Sequence, residues 1–180
     1  MRYRRANIEG GTYFFTVVTF GRKKIFSTSE NVEVLRQGMK HVMKKHPFVI
    51  DAMVVLPDHL HCIWTLPPED ADFPVRWRLI KSFFTRNCSA EYRQKISDAR
   101  QRKKEQAVWQ RRYWEHTIKD QQDFMRHVEY IHYNPVKHGL VNAPAGWASS
   151  SFHQYVKQGR YPENWGAGVV LDFDDGVGCE

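Results

Sequence analysis

Apolar and polar residues alternate along this chain with a period that switches several times between that of a strand and that of a helix. Residues 10–21, GGTYFFTVVTFG, are β-branched and aromatic between glycines and predict a buried strand. From Ser29 as N-cap, Val32, Leu35, Met39, Val42 and Met43 recur at helical spacing. That helix is expected to stop before His46-Pro47, because proline disfavours a helical turn ahead of it. FVIDAMVVL (48–56) and HLHCIWTL (59–66) read as two strands joined by a tight turn at Pro57-Asp58.

PPEDAD (67–72) breaks the pattern. Val75, Trp77, Ile80, Phe83 and Phe84 then predict a second helix from Phe73 to about Gln94. A charged loop follows, and RYWEHTI (112–118) reads as a short fourth strand. A third helix is expected from Asp120 to about His138, with Gly139 as its stop; turns and short pieces make up the remainder. No internal repeat is visible.

The order β-α-β-β-α-β is that of the ferredoxin-like split βαβ arrangement. The expected fold class is therefore α+β: a four-stranded antiparallel sheet with helices over one face, a third helix added, and the other face available for a ligand. Residues 1–162 are expected to form one domain and residues 163–180 an acidic, flexible tail.

Charge separates these two parts. The chain carries a net +7, but Glu163, Asp172, Asp174, Asp175 and Glu180 lie in a tail that has no Lys or Arg. The first 162 residues hold all 27 basic residues against 15 acidic ones, a net +12. Such a body favours a polyanionic partner, and six Trp, eight Tyr and eleven Phe supply stacking surfaces of the kind that bind single-stranded nucleic acid. Three cysteines, Cys62, Cys88 and Cys179, have no metal-type spacing. With no leader-like start and no apolar run near the ~18 residues of a membrane span, a cytoplasmic location is expected.

Two stretches carry chemistry. In VVLPDHLHCIW (54–64), His59 and His61 point to the same side of a strand with Cα atoms about 6.5–7 Å apart, within reach of one metal ion or of a shared hydrogen-bond network. On the third helix, Phe124, Val128 and Ile131 form an apolar stripe, while His127, Tyr130 and Asn134 fall together on its flank. Tyr130 and Asn134, four residues apart, address one small volume, and Pro135 is expected to kink the helix beside Asn134.

PDHLHCIW followed some seventy residues later by RHVEYIHYNPVKHGLV resembles the HUH single-tyrosine transposases, in particular the REP-associated tyrosine transposases. The likeness runs from GGTYFFTVVT through WQRRYWEHTI to FHQYVKQGRYPENWG, nearly the whole chain. It implies that His59 and His61 are metal ligands, that Tyr130 is the nucleophile, and that Asn134 completes the metal site, where related insertion-sequence enzymes have glutamine. Tyr133 is the competing tyrosine, but only Tyr130 has Asn134 four residues on. The implied cofactor is Mg²⁺ or Mn²⁺, and the implied substrate is single-stranded DNA folded as a repetitive extragenic palindrome (REP) hairpin, cleaved through a 5′-phosphotyrosine. The implied assembly is a monomer with Tyr130 acting in cis, although insertion-sequence relatives are dimers.

Expected DNA contacts are Arg2, Tyr3, Arg4 and Arg5 at the amino terminus, Arg76, Arg78, Lys81 and Arg86 on the second helix, then Arg111, Arg112, Trp114 and Lys137. Two other function classes use the same residues: a non-catalytic hairpin or single-strand binding protein, and a replication or mobilisation nicking enzyme. The acidic tail is either a solvated end or an internal DNA mimic that restrains activity.

Overall fold

Strand β1 (Thr12–Val18) runs through the middle of the molecule, its alternate side chains serving two separate cores. In the computed structural model, which describes residues 8–93, 98, 108–173, 177 and 178, it is followed by α1 (Ser29–Met43), β2 (Val49–Val55), β3 (His59–Thr65), α2 (Phe73–Asn87), β4 (Trp114–Thr117), α3 (Gln121–Lys137) and α4 (Phe152–Lys157). The four strands form one antiparallel sheet in the order β2-β3-β1-β4, as the split βαβ reading requires. Among the described residues no helix is long and apolar enough to cross a membrane.

Tyr13, Phe15 and Val17 of β1 with Leu60, Cys62 and Trp64 of β3 face α1 and α2, closing the larger core around Leu35, Met39, Phe73, Trp77 and Ile80. The opposite face, with Phe14, Ala52, Val54 and Ile63, is not open. It is covered by Val128, Tyr130 and Ile131 of α3 and by Phe152 and Tyr155 of α4. The third helix thus closes the face expected to be free, and the candidate site lies at the interface this creates.

Several boundaries differ from the sequence reading. Thr28, not Ser29, caps α1, its hydroxyl accepting from the Asn31 N–H at 3.4 Å. Helix α2 stops at Asn87, where Cys88 turns to extended backbone, and a separate 3₁₀ turn spans Ala90–Tyr92. At α3, the Asp120 carboxylate accepts from the Asp123 N–H at 2.8 Å, a side-chain cap of one of the helix's orphan donors. Gly139 takes φ +65°, the left-handed conformation that ends the helix. Pro135 does not break α3: the helix continues to Lys137, and His138 N–H still bonds the Asn134 carbonyl at 3.0 Å. So close to the end, the bond that proline forfeits is one of the last in the ladder.

Candidate active site

His59 and His61 stand on the α3 side of β3, both almost fully buried, with ring centroids 4.9 Å apart and planes nearly perpendicular. Each ring is held through Nδ1. His59 Nδ1–H donates to Asp58 Oδ1 at 2.6 Å, and His61 Nδ1 bonds the Thr16 hydroxyl, one strand away, at 2.9 Å. Asp58 is itself anchored by Arg22 at 3.3 Å. Burial alone would raise its carboxyl, but the bonds from His59 and Arg22 outweigh that and hold it below the usual carboxylate range. With Nδ1 of each ring anchored, Nε2 is the nitrogen that would ligate a metal, and a carboxylate behind His59 would make it the better donor.

Tyr130 meets this pair from α3. Its ring lies 5.2 Å from that of His61, edge to face, with Phe14 wedged between the same rings and His127. Only 1% of Tyr130 is exposed, so the flank that carries it is an interface. The reason is that the sheet and α4 together enclose α3 from His127 to Pro135 on more than its apolar stripe. Asn134, one turn beyond Tyr130, is fully buried with it. Two imidazoles and a carboxamide suit a hard divalent cation that keeps further positions for water or phosphate, so the donor set fits Mg²⁺ or Mn²⁺.

The tail reaches this site. Tyr130 Oη donates to the Gly178 carbonyl at 3.2 Å, Phe173 packs edge-on against the Tyr130 ring at 5.4 Å, and Tyr133 Oη donates to the Val169 carbonyl at 2.6 Å. Tyr133, the competing tyrosine, is therefore turned towards the tail backbone.

Sequence reading missed Asp58 and Thr16, and His138, whose ring sits 5.2 Å from that of His59. The signal for Asp58 was its place before His59 in PDHLH; nothing local marks Thr16, because strand register brings it opposite His61.

Of the expected DNA contacts, Arg2, Tyr3, Arg4 and Arg5 lie outside the described residues. Arg76 is corrected: it is 1% exposed and grips the Asp70 carboxylate at 2.7 and 3.0 Å while donating to the Pro47 and Asp72 carbonyls. This is a clamp at the start of α2, not a DNA-facing guanidinium. Lys81 is half-buried over Trp109 and Tyr113 and donates to the Gln110 carbonyl at 3.0 Å; burial lowers its ammonium to about 8. Arg78, Arg86, Arg111 and Arg112 are exposed. Trp114 is half-buried, stacked on His116 and edge-on to Phe14. Lys137 is turned to Tyr130, its Nζ donating to Oη at 3.1 Å.

A second group of ligand-type side chains, His116, Asp123 and His127, adjoins the site. His127 Nδ1 lies 2.8 Å from the Asp123 carbonyl, which can only accept, so that nitrogen carries its proton. The His116 and His127 rings are near-parallel at 15°, and His116 Nε2 is engaged by Asp123 Oδ2 at 2.8 Å. Lone pairs of parallel rings do not converge on one ion. The group ties β4 to α3.

Comparison with known proteins agrees with this geometry. Residues 7–134 match the family described as "Transposase IS200 like". A REP-associated tyrosine transposase of Escherichia coli (strain K12) is 44% identical over 174 residues, covering 97% of this chain and 95% of that protein. The chain belongs to the REP-associated tyrosine transposases. A putative REP-associated tyrosine transposase of Haemophilus influenzae is 43% identical, covering 94% of this chain and 95% of that protein. A solved structure of a REP-associated tyrosine transposase bound to a REP hairpin superposes with a TM-score of 0.79 at 41% identity, covering 100% of this chain and 99% of the other. As a member of this family, the chain is a single-tyrosine transposase.

Proposed function

We propose that this transposase binds REP-type hairpins in single-stranded DNA and cleaves and rejoins the strand through a 5′-phosphotyrosine at Tyr130. The observation that carries the reading is the Tyr130 ring set against His61, with His59 alongside and Asn134 one turn on, all from a single chain. The hairpin as partner rests on the REP hairpin held by the similar solved structure.

In cleavage, Tyr130 Oη forms a bond to the scissile phosphorus while the P–O3′ bond breaks, giving a phosphotyrosine and a free 3′-hydroxyl. Phosphate bond energy is conserved in the adduct, so the 3′-hydroxyl of an incoming strand reverses the step without ATP. His59, His61 and Asn134 would hold Mg²⁺ or Mn²⁺, which would supply positive charge to offset the negative charge building on the phosphate. Asp58 and Thr16 keep the two imidazoles in the ligating orientation. Because Tyr130 packs against His61 of its own chain, a monomer acts in cis. With Phe173 and Gly178 against Tyr130, the tail restrains the enzyme until DNA displaces it.

The test is a 5′-labelled single-stranded REP hairpin incubated with the protein and Mn²⁺, beside EDTA. Cleavage abolished by EDTA supports the metal-dependent nuclease. Tight hairpin binding without cleavage in any divalent metal would replace it with a binding protein.

A further inference from the structure

Lys137 has no part in the chemistry so far. It closes α3 seven residues after Tyr130, two turns along the same face, so the two side chains run alongside each other. Its ammonium lies 4.8 Å from the Tyr130 ring centroid and donates to Oη at 3.1 Å. Lysine only donates, so it occupies a lone pair of Oη, and the phenolic hydrogen goes to the Gly178 carbonyl. A lysine serving DNA phosphates would extend into solvent. Lys137 is an exposed residue at the helix end, yet its ammonium turns back onto the oxygen of a buried tyrosine.

We propose that Lys137 is a catalytic residue, the cation that stabilises negative charge on Tyr130 Oη in both directions of strand transfer. The proposal rests on Tyr130 being the nucleophile. In the forward step the Oη–P bond forms, the P–O3′ bond breaks, the phenolic proton passes to solvent and the departing O3′ takes one up. In the return step a 3′-hydroxyl attacks phosphorus and the Oη–P electron pair goes back to Oη, again beside Lys137. The same oxygen carries developing charge both ways, so one fixed ammonium serves cleavage and rejoining. A donor aimed in advance at that oxygen needs no reorganisation during the reaction, and losing one such donor typically slows a reaction about 10²–10³-fold.

The experiment compares full-length wild type, Lys137→Met and Lys137→Arg with a REP hairpin and saturating Mn²⁺. It reads single-turnover adduct formation, rejoining from the isolated adduct, and hairpin affinity across a salt series. Lys137→Met is expected to slow both chemical steps about a hundredfold at saturating DNA, with affinity and salt slope unchanged, and Lys137→Arg to recover much of the loss. Saturating rates that hold while affinity falls and the salt slope drops by about one would overturn the proposal and make Lys137 a phosphate contact. So would unchanged kinetics throughout. A wild-type protein that forms no adduct would sink the Tyr130 reading itself, a failure seen before any change at position 137.

Discussion

Tyr130 and His61 face each other across the interface of α3 and the sheet, ring edge to ring face, with centroids 5.2 Å apart. Residues 69 positions apart in the chain are thereby placed in one buried volume, and both are fixed from behind. His61 is held by Thr16 and Tyr130 by Phe14 and Phe173. In the proposed roles of nucleophile and metal ligand, a pair pre-positioned this way would need no rearrangement when the phosphate arrives.

The tail contact gives a direct expectation. One hydrogen bond and one aromatic edge contact on Tyr130 together amount to about 2 kcal/mol, so removing residues 167–180 is expected to raise the cleavage rate by up to about thirtyfold. Single-turnover kinetics of the truncated and full chains measure this. Identical rates would remove the restraining role.

Asp58 is expected to govern metal affinity through His59. Asp58→Ala should weaken Mn²⁺ binding about 10- to 100-fold, read by calorimetry on the DNA-free protein, while hairpin binding without metal is unaffected. Unaltered Mn²⁺ affinity would show that the His59 orientation is set elsewhere.

Arg76 is expected to matter for stability and not for DNA. Arg76→Met removes the buried member of an ion pair and leaves the one-third-exposed Asp70 carboxylate, which Arg76 holds below its usual range, without its main partner. The cost should be about 1.5–3 kcal/mol in urea unfolding, the range for hydrogen bonds to a charged group, with hairpin affinity retained at temperatures where the variant is folded. Exposed Arg78 and Arg86 should behave oppositely, weakening DNA binding with little effect on unfolding.

A pH dependence follows from His132, buried among Phe152, Tyr155 and Tyr161 and bonded to the Ser151 hydroxyl at 2.8 Å. Burial lowers its imidazolium from 6.5 to about 3. The unfolded chain therefore binds the extra proton between these values, and stability falls as pH drops below about 6.5. Between pH 7 and 5 this group alone should cost about 2 kcal/mol, a loss absent in His132→Gln. Parallel pH profiles of the two proteins would contradict it.

The sheet was legible because alternation in TYFFTVV and HLHCIWT fixes which residues share a face, and that put His59 beside His61. The helical period of α3 likewise placed Asn134 on the Tyr130 side. Burial of every residue but Glu129 from 127 to 135 was not legible, since a helix covered by a sheet and a second helix hides polar flank residues that periodicity assigns to solvent. Thr16 was missed and Arg76 misread for a related reason. Strand register supplies one partner and a preceding loop the other, and neither leaves a local pattern.

The central claim is that Tyr130 becomes covalently joined to DNA, and the most direct measurement is mass spectrometry of the protease-digested adduct formed with a REP hairpin and Mn²⁺. The expected result is a phosphonucleotide on the peptide carrying Tyr130, attached at that residue and absent in Tyr130→Phe. Attachment at Tyr133, or an adduct that persists in Tyr130→Phe, would contradict the account.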